Sequence, residues 1–303
     1  MQSSKHLMNT VKTIVLMAVM TSLLLLTGLL WTGDISGVIL FLFIALALNF
    51  FTFWSSDKLV LKMSGAKLVT IDDAPDLHAI VDEQVSLAGI PKPKVFIMET
   101  DSPNAFATGR SKKHATIAVT TGIQRILDEE ELGAVIAHEL GHVGNRDTLI
   151  MTMVAAIATA IGLIAMIARF SMFFGGMGGR GRGGGSAAGI IGLLVIAIVM
   201  PLAALLVRAA ISRAREFQAD KTGAATSGRP LALARALQKL EHGSETQRID
   251  NISQERLEPV SHLFIVNPLK GSTISRLFST HPPVAERVRR LEAIANPPLW
   301  SDR

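Results

Sequence analysis

Four long apolar runs interrupt an otherwise mixed chain. Thr13 to Trp31 is nearly unbroken and is preceded by Lys5 and Lys12; Gly37 to Trp54 follows after a short connection. Leu149 to Ala168 and Gly189 to Val207 form a second pair, joined by a glycine-rich segment around Arg180 and Arg182. Each run approaches the ~20 residues that cross a bilayer as a helix. The first starts like a secretory signal, but no small-x-small cleavage pattern follows, so it reads as a span. Trp31 and Trp54 suit the interfacial ends of this first hairpin. Its connection carries Asp34, whereas Lys58, Lys62 and Lys67 follow the second run. The positive-inside rule then puts both flanks in the cytoplasm. The second pair places Arg180 and Arg182 outside, against that rule. Spanning is still the favoured reading, and Pro201 in the fourth run is tolerated where neighbours satisfy the freed carbonyl.

The pattern therefore divides the chain into a transmembrane hairpin (1–54), a globular part (55–148), a second hairpin (149–207) and a second globular part (208–303). In the first globular part, helical spacing predicts a helix over Pro75 to Leu87, with Asp72 or Asp73 near its start and Gly89 past its end. Lys94 to Met98 and Ala115 to Thr120 alternate as strands, with Asn104 to Thr108 as a short edge strand between them. The next helix opens on a capping box, Asp128 as N-cap and Glu131 at N3. Leu132, Ile136, Leu140 and Val143 would face the core, and His138 and His142 would lie on another side, with Glu139 at the border. In the second part, Ser212 to Ala225 and Pro230 to His242 read as helices and Gly243 to Glu258 as a polar loop. A last helix starts at Pro282 or Pro283 and ends near Ala295, its arginines forming a solvated or membrane-facing side.

Composition agrees with the runs. The chain is 49% hydrophobic over 303 residues, high for a soluble protein, and its net charge of +5 is explained by basic residues at membrane borders. Nucleic acid is not an expected partner; the glycine-rich segment reads as a connection rather than an RNA-binding element. There is no cysteine, so any metal must be held by His, Asp or Glu.

Such donors stand at Ala137-His138-Glu139-Leu140-Gly141-His142. On a helix, His138 and His142 are four apart and can present two imidazoles to one ion, with Glu139 beside them to work on a metal-activated water. Catalytic zinc usually takes three protein ligands. His142 lies about seven residues before the third run and Glu216 about nine after the fourth, so both stand ~10–13 Å above the membrane at ~1.5 Å rise per residue. Glu216 is thus a candidate third ligand, with Asp220, His242, His262 and His281 as competitors. Asp220, one turn on, shares its face and can fix a histidine tautomer; a plain ion pair with Lys221 or Arg215 is the alternative. His78, His114 and His242 read as exposed and incidental.

Five stretches together resemble the HtpX-type membrane zinc metalloproteases, of the gluzincin group that includes the CAAX prenyl proteases. They are Asn104 to Gly109, Ala137 to His142, Ser212 to Asp220, His262 to Pro268 and Leu277 to Pro283. The resemblance implies a mostly α-helical integral membrane protein of about four spans, with a cytoplasmic α+β, zincin-like protease domain. It implies one Zn2+ held by His138, His142 and Glu216, with Glu139 as general base. It also implies that Asn104, Ala105, Phe106 and Ala107 border the substrate cleft. Phe217 departs from the pattern, since relatives often carry Tyr there. The expected setting is multi-pass in a bacterial inner membrane, with the N-terminus cytoplasmic.

The function expected is endoproteolysis of misfolded or damaged membrane proteins. His281, Arg213 or Arg287 are candidates to stabilise the oxyanion. Two other readings compete. Prenyl-peptide processing is disfavoured because four runs are few for a large intramembrane chamber. A non-catalytic scaffold tied by zinc is disfavoured because a structural site needs no Glu139 and usually takes four protein ligands.

Overall fold

The structure is a computed structural model. It describes residues 33–145, 147–148, 150–151, 213–246 and 282–296, with scattered positions between 11 and 29. The readings made for the third and fourth runs, the glycine-rich segment, His262 and His281 lie outside the described residues. The chain divides into two compact units, Met1–Ser56 with Met153–Ala209 and Asp57–Thr152 with Ala210–Arg303.

In the first unit the described residues between 11 and 29 are helical, and Gly33 closes that helix with φ +75°. Asp34 Oδ1 then accepts from Ser36 N at 2.8 Å, capping the next helix, α1 (Ile35–Ser64). Gly28 lies where a Cβ would meet Gly37 O at 2.4 Å, so the two helices touch backbone to backbone. Asn49 Nδ2 donates to Thr21 Oγ1 at 2.8 Å between them. Their outward side chains are apolar: Val11, Ile14, Leu29, Ile39, Phe43 and Phe50 are all exposed. Among the described residues no helix is long and apolar enough to cross a membrane.

The second unit holds a four-stranded mixed sheet in the order β1 (Lys67–Leu68), β2 (Lys94–Met98), β4 (Thr116–Thr120), β3 (Ala105–Thr108). β2 and β4 run parallel, while β1 and β3 are antiparallel to their neighbours. The helices are α2 (Pro75–Ala88), α3 (Thr121–Ile126), α4 (Glu129–Asn145), α5 (Arg213–Ser227), α6 (Pro230–Thr246) and α7 (Val284–Ala295). α4 is central and packs on α2, α5, α6 and β3. Every residue from Glu131 to Val143 is buried, so the face carrying the histidines is as enclosed as the face carrying Leu132, Ile136, Leu140 and Val143. Burying such Leu, Ile and Val side chains stabilises the fold by about 1.5–3 kcal/mol each.

The capping box forms as read: Glu131 N donates to Asp128 Oδ1 at 2.9 Å and Asp128 N to Glu131 Oε2 at 3.1 Å. Asp73 stands just before α2, as expected, and accepts from Thr70 N and Oγ1 at 2.8 and 2.7 Å, closing the preceding turn, while Ala74 is the N-cap. Other local expectations need correction. His78 is buried, its Nε2 3.1 Å from Val69 O. The segment read as a loop from Gly243 is still helical to Thr246. Arg287, read as part of a solvated face, is fully buried, while Arg289 and Arg290 pair with Glu286 at the surface.

Candidate metal centre

α4 and α5 cross so closely that glycine or alanine occupies the contact. A Cβ at Gly141 would meet Ala219 O at 3.3 Å, and one at Gly223 would meet His138 N at 2.7 Å. Glu216, Ala219, Asp220 and Gly223 share one face of α5 by helical spacing. The crossing therefore delivers Glu216 and Asp220 onto His138 and His142.

His138, His142 and Glu216 each offer a donor atom, all within 4.8 Å of one another, and all three are buried. His142 Nε2 is 3.4 Å from Glu216 Oε1, and His138 Nε2 is 3.9 Å from Oε2. Two donors about 2.1 Å from one tetrahedral ion stand roughly 3.4 Å apart, so the set fits a metal of zinc's size with little movement. The imidazoles are edge to face, with centroids 4.9 Å apart, which lets both Nε2 atoms point to one locus.

The other ring nitrogens turn to carboxylates. His138 Nδ1 lies 3.0 Å from Asp220 Oδ1. His142 Nδ1 lies 3.6 Å from Asp147 Oδ2, beyond a direct hydrogen bond in this geometry. Asp147 escaped the sequence reading because it lies past the helix end, where no periodicity marks it. Its backbone N–H donates to His142 O at 2.9 Å and holds it beneath that histidine. Asp220 pairs with Arg287 rather than with Lys221 or Arg215: Nη2 donates to Oδ1 at 2.6 Å and Nε to Oδ2 at 2.9 Å. Arg287 Nη2 is also 3.5 Å from His138 Nε2.

Glu139 projects beside the triad. Its Oε2 accepts from Ala107 N at 2.8 Å, so the outer edge of β3 grips it. Asn104 to Ala107 are buried, and β3 is an edge strand of the described sheet. Burial raises the Glu139 carboxyl above its ordinary value, partly offset by His138 and His142. Burial pushes His142 down, but Glu216, Asp147 and Glu139 overcome it and raise the imidazole to about 9 in the metal-free chain. Burial likewise opposes ionisation of Asp220, yet Arg287 holds its carboxyl well below the usual range. Two histidines, a carboxylate and a buried adjacent base suit metal-assisted hydrolysis.

Residues 72–295, which contain this whole cluster, match peptidase family M48. The chain belongs to peptidase family M48. It is 47% identical to a protease HtpX homologue of Sulfurihydrogenibium sp. over 95% of this chain and 96% of that protein. The corresponding protein of Thermodesulfovibrio yellowstonii is 48% identical over 95% and 99%, and that of Pyrococcus furiosus 47% over 94% and 96%. The chain is also similar to the crystal structure of S. mikatae Ste24p, at a TM-score of 0.49 and 19% identity, over 96% of this chain and 67% of that one. As an M48 peptidase the chain is a metalloprotease, and its substrates are proteins.

Proposed function

We propose that this M48 peptidase is a membrane-anchored zinc endopeptidase in which His138, His142 and Glu216 hold the ion and Glu139 is the general base. The observation that carries the reading is the convergence of three buried donors within 4.8 Å beside a carboxylate that is not one of them. A bound zinc ion supplies a Lewis acid that acidifies water and polarises a peptide carbonyl. Glu139 takes a proton from the attacking water and passes it to the leaving amine. The Ala107 N–H holds Oε2, so Oε1 is the oxygen proposed for the proton transfer. Asp220 Oδ1, 3.0 Å from His138 Nδ1, is the carboxylate placed to orient that ring. Substrate lies extended along the Asn104 to Ala107 edge, a mode that reads backbone and makes few sequence demands. His281 is the candidate oxyanion donor; Arg287, enclosed and bonded to Asp220, is poorly placed for that task.

On this reading residues 1–54 and 149–207 are membrane hairpins, and 55–148 with 208–303 form one cytoplasmic protease domain of the plasma membrane. The apolar exterior and polar contact between the first two helices support that, since Thr21 and Asn49 satisfy each other where lipid offers no partner. Misfolded or damaged membrane proteins are the substrates such a placement serves.

The test is cleavage of unfolded casein by detergent-purified protein, stripped with chelator and reloaded with zinc. Activity should need zinc and vanish in Glu139→Ala and Glu216→Ala. A Glu139→Ala protein that binds zinc and cuts at the parental rate would overturn the mechanism. Full activity in Glu216→Ala would move the third ligand elsewhere.

A further inference from the structure

A fully buried guanidinium requires a reason, because removing a charge from water costs several kcal/mol unless partners replace the lost hydration. Arg287 projects from α7, in a segment of the chain remote from α4. Its Nε and Nη2 fork onto both oxygens of Asp220, at 2.9 and 2.6 Å, and Nη1 lies 4.0 Å from Glu216 Oε2. Asp220 in turn lies 3.0 Å from His138 Nδ1.

Two simpler roles fit this geometry less well. An oxyanion donor must keep its N–H groups for the reacting carbonyl, whereas Nε and Nη2 are engaged by the two oxygens of Asp220. A bond serving only to fasten α7 is redundant, because Val284, Val288 and Leu291 already bury that helix in the core. Buried ion pairs are in any case weak contributors to net stability. What the fork does supply is direction. A carboxylate held at both oxygens is restrained from rotating, so Oδ1 is kept 3.0 Å from His138 Nδ1, where its charge favours the proton on that nitrogen and leaves Nε2 as the donor facing Glu216.

We propose that Arg287 is a positioning residue of the metal centre: through Asp220 it sets the tautomer and rotation of His138, and so makes α7 a part of the metal site. The proposal rests on His138, His142 and Glu216 being the ligands.

The experiment uses full-length protein in detergent in a Glu139→Gln background, which removes the proposed base and so keeps proteolysis out of the measurement. Zinc affinity is measured by competition with a chromophoric chelator, and ligand geometry by the visible spectrum of the cobalt-loaded protein. Arg287→Gln should weaken zinc about 10- to 100-fold, the range for lost outer partners of a ligand histidine. Asp220→Asn should do the same, and the double variant should be no worse than Asp220→Asn. Arg287→Lys, one point charge in place of a fork, should fall between Arg287→Gln and the parent, with an altered cobalt spectrum, and it carries the test if Arg287→Gln does not fold. Unchanged zinc affinity in the folded Arg287 variants, with or without a lower melting temperature, overturns the proposal. Tighter zinc binding overturns it too, since Arg287 would then be competing with the ion at His138 Nε2. His142→Ala separates the two levels: if it binds zinc like the parent, the ligand reading itself has failed.

Discussion

Gly223 on α5 lies against the backbone of His138 on α4, where a methyl group would stand 2.7 Å from His138 N and 2.8 Å from its Cα. Backbone cannot yield to a side chain at that distance, so Gly223→Ala must push α5 away from α4. In an open helix the same change would stabilise by about 1 kcal/mol. Here overpacking should destabilise by about 1–3 kcal/mol and draw Glu216 away from the histidine pair. Thermal unfolding and zinc titration check both effects. Gly141→Ala, with 3.3 Å to Ala219 O, should be milder in each. A higher melting temperature for Gly223→Ala with parental zinc affinity would mean the crossing has slack.

Glu139→Gln should keep the fold and the metal while losing activity. The amide oxygen can still accept from Ala107 N, which now bonds Oε2 at 2.8 Å. What it cannot do is take a proton, a contribution of about 10²–10⁴ in rate. Zinc content, melting temperature and casein cleavage separate these outcomes. A variant with comparable metal and more than a tenth of parental activity would remove Glu139 from the role of base.

The capped start of α4 should contribute measurably to stability. Asp128→Ala removes the oxygen that accepts from Glu131 N and should cost about 0.5–2 kcal/mol. Glu131→Ala should cost more, because Lys239 Nζ, 2.6 Å from its carboxylate, and Asp128 N both lose their acceptor. Melting temperatures of the two variants and the double test this. The double should fall short of the sum, since the bonds are reciprocal.

The parts of the fold and of the site differ in how far the chain alone exposes them. The capping box, the histidine pair and the strand at Asn104 to Thr108 depend on near neighbours, and local spacing carries that information. Glu216 was reachable by a length argument, with its competitors still standing, because a helix has a fixed rise. Arg287 was not reachable as a partner of Asp220: on α7 it looks like its neighbours Arg289 and Arg290, and only packing separates the buried one from the exposed two. Asp147 lies beyond the periodic part of its helix. His78 was misjudged for a related reason, since its ring meets Val69 O, a partner from outside its own helix. Long-range pairing of charges is set by the tertiary fold, and no window of sequence encodes it.

Phe217→Tyr should be close to neutral. Relatives' tyrosine suggested a missing hydroxyl, but the ring's observed partner is Arg290, whose Cζ sits 3.7 Å from the centroid. Tyr keeps that face, so zinc affinity and casein cleavage should stay within about twofold. Phe217→Leu removes it and should cost about 0.5–1 kcal/mol, the value of an exposed cation–π contact. A large gain of activity in Phe217→Tyr would show that the hydroxyl has a task the fold alone does not reveal.

Metal should stabilise this protein in proportion to the logarithm of its concentration. The three donors converge only when α5 lies on α4, and α4 is enclosed by α2, α5, α6 and β3, so the unfolded chain has no comparable site. Above saturation each tenfold rise in free zinc should then add about 1.4 kcal/mol, reaching about 2.7 kcal/mol at a hundred times the dissociation constant. The Glu139→Gln protein, which lacks the proposed base, should show a melting temperature that climbs with zinc and falls back on chelation. His142→Ala and Glu216→Ala should show far weaker dependence, each having lost one of three donors. A melting temperature indifferent to zinc in Glu139→Gln would mean that the cluster of His138, His142 and Glu216 does not hold the ion.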